Sequence, residues 1–207
     1  MIKYAIISGS HRDEAVAQSL KVSKWLSNAI QAKDSSNNVD IISLSGNPFP
    51  LWDESAWDAG SDLSRKMAPS LDVVKNADAI ILVAPEWGGM VPPGLKNFLL
   101  YMASAHAEHK PCMLVGVSAS RGGTYPIAEL RMSGYKNNRM VYIPDHLIVG
   151  SVQNVMNDHD MDTAEQGDLY IKKRALYSLD VLNAYAVALK GMRSAHDLSH
   201  ADYPFGM

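Results

Sequence analysis

Residues 79–84 read Ala-Ile-Ile-Leu-Val-Ala, six apolar side chains with no alternation. A short apolar run of this kind suits a strand buried on both faces of a parallel sheet, because a sheet wetted on one face would alternate. The signature recurs. Ile2 to Ile7 is one apolar run and ends at Ser8-Gly9-Ser10, while Cys112 to Ser118 is another and ends before Arg121-Gly122-Gly123. Val39 to Leu44 reads as a further strand, and either Met140 to Ile143 or Leu147 to Val149 supplies the fifth. Helical patterns lie between them. Val22, Trp25, Leu26, Ala29 and Ile30 share one helix face, and Asp34 to Asn38 breaks that helix. Further helices are predicted over Asp62 to Asn76, from Pro92-Pro93 through Ala105, over Tyr125 to Met132, and over Glu165 to Lys190.

Strands alternating with helices predict an open α/β sheet with right-handed crossovers and helices on both faces. Five strands and five helices match a three-layer, doubly wound, flavodoxin-like parallel sheet of order 2-1-3-4-5. Its 207 residues suffice for one domain, read here as residues 1–190, with 191–207 as a C-terminal tail lying on the surface or on a partner subunit.

Composition removes several classes of function. Lys and Arg number 19 and Asp and Glu 22, with no basic stripe, so no nucleic-acid partner is expected. No apolar run reaches the ~18 residues of a membrane span, and Met1 to Ser10 reads as a strand rather than a signal peptide. The single cysteine, Cys112, excludes an intrachain disulfide and a cysteine-based metal site, and a reducing cytoplasmic location is expected.

In a sheet of this kind ligands bind beyond the carboxyl ends of the strands, at the point where the strand order reverses. Three unusual turns fall there. The first is Ser8-Gly9-Ser10-His11-Arg12, with Gln18 and Ser19 at the start of the following helix. Hydroxyls, an arginine and a helix N-terminus together make an anion site. The turn is neither a dinucleotide fingerprint nor a P-loop, for it has one glycine and no Gly-Lys-Ser/Thr. The second turn is Pro85-Glu86-Trp87-Gly88-Gly89. Its glycines let backbone approach a flat ligand, and Trp87 can stack on one. The third runs from Ser118 through Ser120, Arg121, Gly122 and Gly123. Its N–H groups can face an electron-rich ring edge, or Ser120 or Thr124 can cap the next helix.

These three turns, with Leu95-Lys96-Asn97 and Pro50-Leu51-Trp52-Asp53, resemble the NADPH-dependent FMN reductase family, which includes chromate, quinone and azo-dye reductases. The similarity spans roughly Ile2 to Leu130. It implies non-covalent FMN with NADPH or NADH as co-substrate. Ser10, Arg12, Gln18 and Ser19 would take the phosphate. Pro85, Glu86, Trp87, Gly88 and Gly89 would border the isoalloxazine, and Ser118, Ser120, Arg121, Gly122 and Gly123 its pyrimidine side. Hydride would pass from the nicotinamide to the flavin N5 and on to a quinone, azo compound, metal oxyanion or free flavin, with no acid–base side chain required. The resemblance also implies a homodimer or homotetramer, with the Phe49 to Trp57 loop and the last helix as contact surfaces. An alternative is a flavin-binding electron carrier or regulatory module acting on a protein partner. A flavin-free hydrolase is the other rival, although no Gly-x-Ser-x-Gly elbow is present.

No metal site is expected. His106/His109 and His196/His200 have helical spacing, but the second pair lacks the glutamate of a His-Glu-x-x-His motif. Cys112 and the scattered methionines read as core.

Overall fold

The computed structural model describes residues 1–198, apart from the Ser104 side chain, and Asp202. The strands are β1 (Lys3–Ser8), β2 (Asn38–Ser43), β3 (Ala79–Pro85), β4 (Pro111–Val117) and β5 (Val141–Val149). All neighbours pair in parallel, in the order β2-β1-β3-β4-β5. The helices are α1 (Gln18–Lys33), α2 (Asp62–Asn76), α3 (Pro93–Tyr101), the one-turn α4 (Ser104–Ala107), α5 (Thr124–Arg131) and α6 (Gln166–Ala195). Two short 3-10 turns cover Glu54–Trp57 and Val152–Asn154.

Alternate residues of the central strands feed two hydrophobic layers. Ile6, Ile81, Val83, Met113 and Val115 pack with α1 and α6 residues such as Leu26 and Leu182. Ile7, Ile80, Leu82 and Leu114 pack with Met67 of α2, Phe98 of α3 and Ile127 of α5. Every residue of β3 is buried. At about 1.5–3 kcal/mol per buried aliphatic side chain, Ile80 to Val83 alone contribute roughly 6–12 kcal/mol.

Three predicted elements differ in detail. The third helix does not run through Ala105. It stops at Tyr101, where Met102 turns extended and is buried, and His106 Nδ1 accepts the Ala103 N–H at 3.0 Å before α4 begins. The helix count is accordingly six rather than five among the described residues. The two candidates for the fifth strand are halves of one strand. Between Cys112 and Leu114 of β4, β5 advances from Tyr142 to His146, a bulge that accommodates Pro144 on an edge strand, where a missing donor is tolerated. The last helix continues to Ala195, so part of the predicted tail is helical. Residues 199–201 and 203–207 of that tail, with His200, lie outside the described residues. No helix among the described residues is long and apolar enough to cross a membrane.

Candidate functional site

The strand order reverses between β1 and β3, so the turns that follow β1, β3 and β4 emerge side by side. Backbone bonds stitch their roots together. Gly9 N–H donates to Val83 O at 2.8 Å, and Glu86 N–H donates to Val117 O at 2.8 Å.

The first turn leads into α1, whose start is unlike that of α2. Ser61 caps α2 with its hydroxyl and Asp62 follows, whereas Ala17 offers α1 no side-chain acceptor and its first turn holds no acid. The leading N–H groups of α1 therefore have no side-chain cap, and the positive end of its dipole is unopposed. Ser10 is buried and its Oγ accepts the Arg12 N–H at 3.2 Å, which leaves the hydroxyl proton to be donated elsewhere. Asp13 is spent on its own loop, accepting the Ala15 N–H at 2.9 Å. Ser19 lies deeper, where it accepts from the Ser8 hydroxyl at 3.4 Å. Gln18 Oε1 is buried with no partner among the described residues, beside a cavity of about 400 Å³ between the first loop, α1 and residues 156–159. Arg12 is exposed.

The second turn is a tight hairpin. Trp87 and Met90 exchange N–H···O bonds of 3.1 and 3.0 Å, and Gly88 and Gly89 carry φ of 58° and 74°. Positive φ at both central positions is the type I′ pattern that glycine serves best. Nothing lies within 4 Å of where a Gly89 Cβ would be, so the tip is open to a ligand.

Glu86 joins the second turn to the third. Its Oε2 accepts the Gly123 N–H at 2.6 Å, and its carboxylate lies against Gly122. Gly123, at φ 112°, is the N-cap of α5 and has no side chain to cap with, so Glu86 supplies the acceptor from outside the helix. Neither Ser120 nor Thr124 caps α5; Ser120 instead meets the Ser118 hydroxyl at 3.2 Å. The Gly123 N–H is thus directed at Glu86. Arg121 is exposed at the rim.

Two further residues hold the turns together. The His11 ring stands edge-on to Trp87 at 5.4 Å and 83°, joining the first turn to the second. Its Nε2 is buried with no hydrogen-bond partner among the described residues and abuts Gly94 in the first turn of α3. Burial holds the His11 pKa below the ordinary 6.5, so the ring is neutral at pH 7. Glu129 of α5 accepts the Val91 N–H at 2.6 Å and pairs with Lys96 of α3, which fixes the far side of the second turn. His11 was named in the sequence only as part of the first turn, with no role of its own; nothing marked Glu129. Among the described residues no group of three or more His, Cys, Asp or Glu is placed to hold a metal ion.

An uncapped helix start, a buried orphan amide and an open glycine hairpin beside a tryptophan can hold an anion and a flat ring together. The strand order and these turns define a flavodoxin-like α/β protein. The sequence matches the profile of the NADPH-dependent FMN reductases over residues 2–154. The chain belongs to that family, and it is an NAD(P)H-dependent oxidoreductase that works with FMN. No curated protein sequence matches it. Solved structures share its fold. An oxidoreductase from Corynebacterium diphtheriae superposes with a TM-score of 0.66 at 14% identity, covering 91% of this chain and 98% of that one. The flavoenzyme NAD(P)H:(acceptor) oxidoreductase FerB from Paracoccus denitrificans gives 0.61 at 17%, covering 92% and 98%. An FMN-dependent NADH-azoreductase from Bacillus anthracis, solved with FMN, gives 0.55 at 16%, covering 93% and 99%.

Proposed function

We propose that this chain is a reductase of small-molecule acceptors, passing hydride from NAD(P)H by way of FMN to a quinone, azo compound, metal oxyanion or free flavin. The observation that carries the reading is the joining of three turns over one uncapped helix, His11 to Trp87 on one side and Glu86 to Gly123 on the other. FerB is described as an NAD(P)H:(acceptor) oxidoreductase and the Bacillus protein as an azoreductase, which supports acceptors of this size.

The residues present fit FMN. The α1 N–H groups, the Ser10 hydroxyl and Arg12 hold its phosphate, with Ser19 packed beneath. Gln18 Oε1, with no donor among the described residues, takes one from a ligand hydroxyl. Pro85 and the Trp87-Gly88-Gly89 hairpin border the ring, and Ser118, Ser120 and Gly122 lie along its polar edge. Glu86 and Gly123 act on each other and set the distance between those turns. Arg121 at the rim receives the phosphate of the nicotinamide dinucleotide. When bound, FMN supplies the hydride acceptor and donor. The protein's part is to hold the two rings at ~3–3.5 Å. One open face serves nicotinamide and acceptor in turn, giving ping-pong kinetics. The working unit is a homodimer or homotetramer.

The test is a visible spectrum of protein loaded with FMN and desalted, followed by anaerobic NADPH and then each acceptor. A retained yellow chromophore that bleaches with NADPH and recovers with a quinone or azo dye is expected. A chromophore that stays oxidised would instead support an electron carrier, and a protein that never holds FMN overturns the assignment of all three turns.

A further inference from the structure

The segment between β5 and α6, most of which lies beyond the matched region, wraps around a cation of α6. Lys172, in the second turn of α6, has a side chain with 0% exposure. Its ammonium donates to Asp158 Oδ1 and to the Asp160 carbonyl oxygen, both at 2.7 Å, and pairs with Asp168 Oδ2 at 2.8 Å. Three donors thus meet three oxygens. The turn around it is wound tightly: Asp158 Oδ1 also accepts the Asp160 N–H at 3.0 Å, and Asp160 Oδ1 accepts the Asp162 N–H at 2.8 Å. Burial opposes the lysine charge, and the two carboxylates outweigh that cost.

What the cage fastens is a strut between the proposed ring edge and the proposed phosphate helix. At one end, Ser151 N–H donates to Ser120 O at 2.6 Å and Val152 N–H to Ser118 O at 3.1 Å, both in the third turn. Along its length, Lys21 of α1 donates to Val152 O at 2.5 Å, Val155 O at 2.9 Å and Asn157 Oδ1 at 2.7 Å. Trp25 Nε1 donates to Asp158 O at 2.7 Å, and its ring stacks on His159 at 4.9 Å and 12°. At the far end Asp168, a partner of Lys172, accepts the Met156 N–H at 2.7 Å.

We propose that Lys172 is a positioning residue for cofactor binding, its caged ammonium holding residues 150–165 as a rigid strut that fixes the third turn relative to the start of α1. This rests on the assignment of FMN to those two places. Removing the ammonium leaves Asp158 and Asp168 facing one another, and the strut loosens without any direct contact to cofactor being lost.

The experiment compares wild type with Lys172→Met, Lys172→Ala and the milder Asp158→Asn, whose side chain is 66% exposed and tolerates change. Circular dichroism checks folding, amide hydrogen exchange follows residues 151–163, and flavin fluorescence quenching gives the FMN affinity. Faster exchange at 151–163 is expected in every variant, with FMN affinity at least tenfold weaker in Lys172→Met and a few-fold weaker in Asp158→Asn. Adding n-propylammonium to Lys172→Ala restores both protection and affinity, a response that a plain packing defect does not give. If Lys172→Met fails to fold, Asp158→Asn carries the comparison. FMN affinity within twofold of wild type while exchange rises shows a strut that positions nothing, and unchanged exchange shows that the cage fastens nothing. Either overturns the proposal. A wild-type chain that holds no FMN overturns the parent reading instead, while exchange and rescue, which need no cofactor, still report on the cage.

Discussion

Among the described residues, Arg12 has no side-chain hydrogen bond or ion pair, although it follows the buried Ser10 by two positions. An arginine left free beside an uncapped helix is available to a phosphate. A charge-assisted bond is worth about 1.5–3 kcal/mol, so Arg12→Ala should weaken FMN about 10- to 150-fold by fluorescence titration. His11 works differently, as a wedge. A Cβ on Gly94 would run into its imidazole. Alanine gains about 1 kcal/mol of helix propensity over glycine, yet overpacking costs about 1–3 kcal/mol, so Gly94→Ala should lower the melting temperature. His11→Ala in the same chain should return part of the loss, because the two positions share one space. The ring also sets a pH dependence. Its folded pKa lies below 6.5, so near that pH the unfolded chain binds more protons than the folded one and stability rises with pH. The melting temperature should therefore fall as pH drops from 7.5 to below 6, and His11→Asn should flatten the curve. Burial also lowers His106 and His159, so the flattening is partial.

At the scale of elements, two carboxylates clasp the second turn onto α5 from opposite directions. Glu86 reaches from the turn to the Gly123 N–H, and Glu129 reaches from the helix to the Val91 N–H. Val91 is 3% exposed, so Glu129→Ala leaves a buried donor unmatched at about 1–3 kcal/mol and deprives Lys96 of its partner. Hydrogen exchange at residues 87–91 should speed up while that of β3 stays slow; equal exchange in wild type and variant would show that Glu129 is not what fixes the turn. Legibility in the sequence divides along the same line. The runs at Ile2 to Ile7 and Ala79 to Ala84 gave the strands because burial on both faces leaves an unbroken apolar record. The helix predicted over Asp62 to Asn76 is α2 with the same bounds, its start fixed by the Ser61 cap. The break before α4 was not readable, since it depends on Met102 finding a buried place and His106 reaching back. The clasp was equally hidden: Glu86 and Gly123 are 37 residues apart and Glu129 and Val91 38, and no local pattern records a contact made only by the packing of α5 on the sheet. The turns announced themselves through glycine and proline, but the groups that hold them did not.

For the whole molecule, the side facing away from the sheet along α3 is unusually apolar. Leu51, Trp57, Leu100 and Met132 are 65–80% exposed, on a chain whose formal net charge is only -3. Two of them share a cavity. Leu100 and Trp57 line a cavity of about 320 Å³ with Trp52 and Tyr101, and Leu100 also lines a second of about 440 Å³ beneath Ser133 to Asn138, the segment that follows Met132. Exposed apolar side chains around two cavities that share Leu100 mark an interaction surface, and a second copy of the chain meeting it across a two-fold axis would cover both cavities at once. A stable pair needs roughly 1,200–2,000 Å² buried in total, which a ridge spanning the Phe49–Trp57 loop, α3 and the end of α5 has the reach to supply. Multi-angle light scattering should therefore find a dimer or tetramer at micromolar concentration. Leu100→Lys places a charge at the junction of the two cavities and should yield monomers that keep their circular dichroism and, if the cofactor site is built from one chain, their FMN. Monomers that lose FMN along with the interface would mean that a partner's residues complete the site, whereas a wild type that is already monomeric would show that this face serves some other contact.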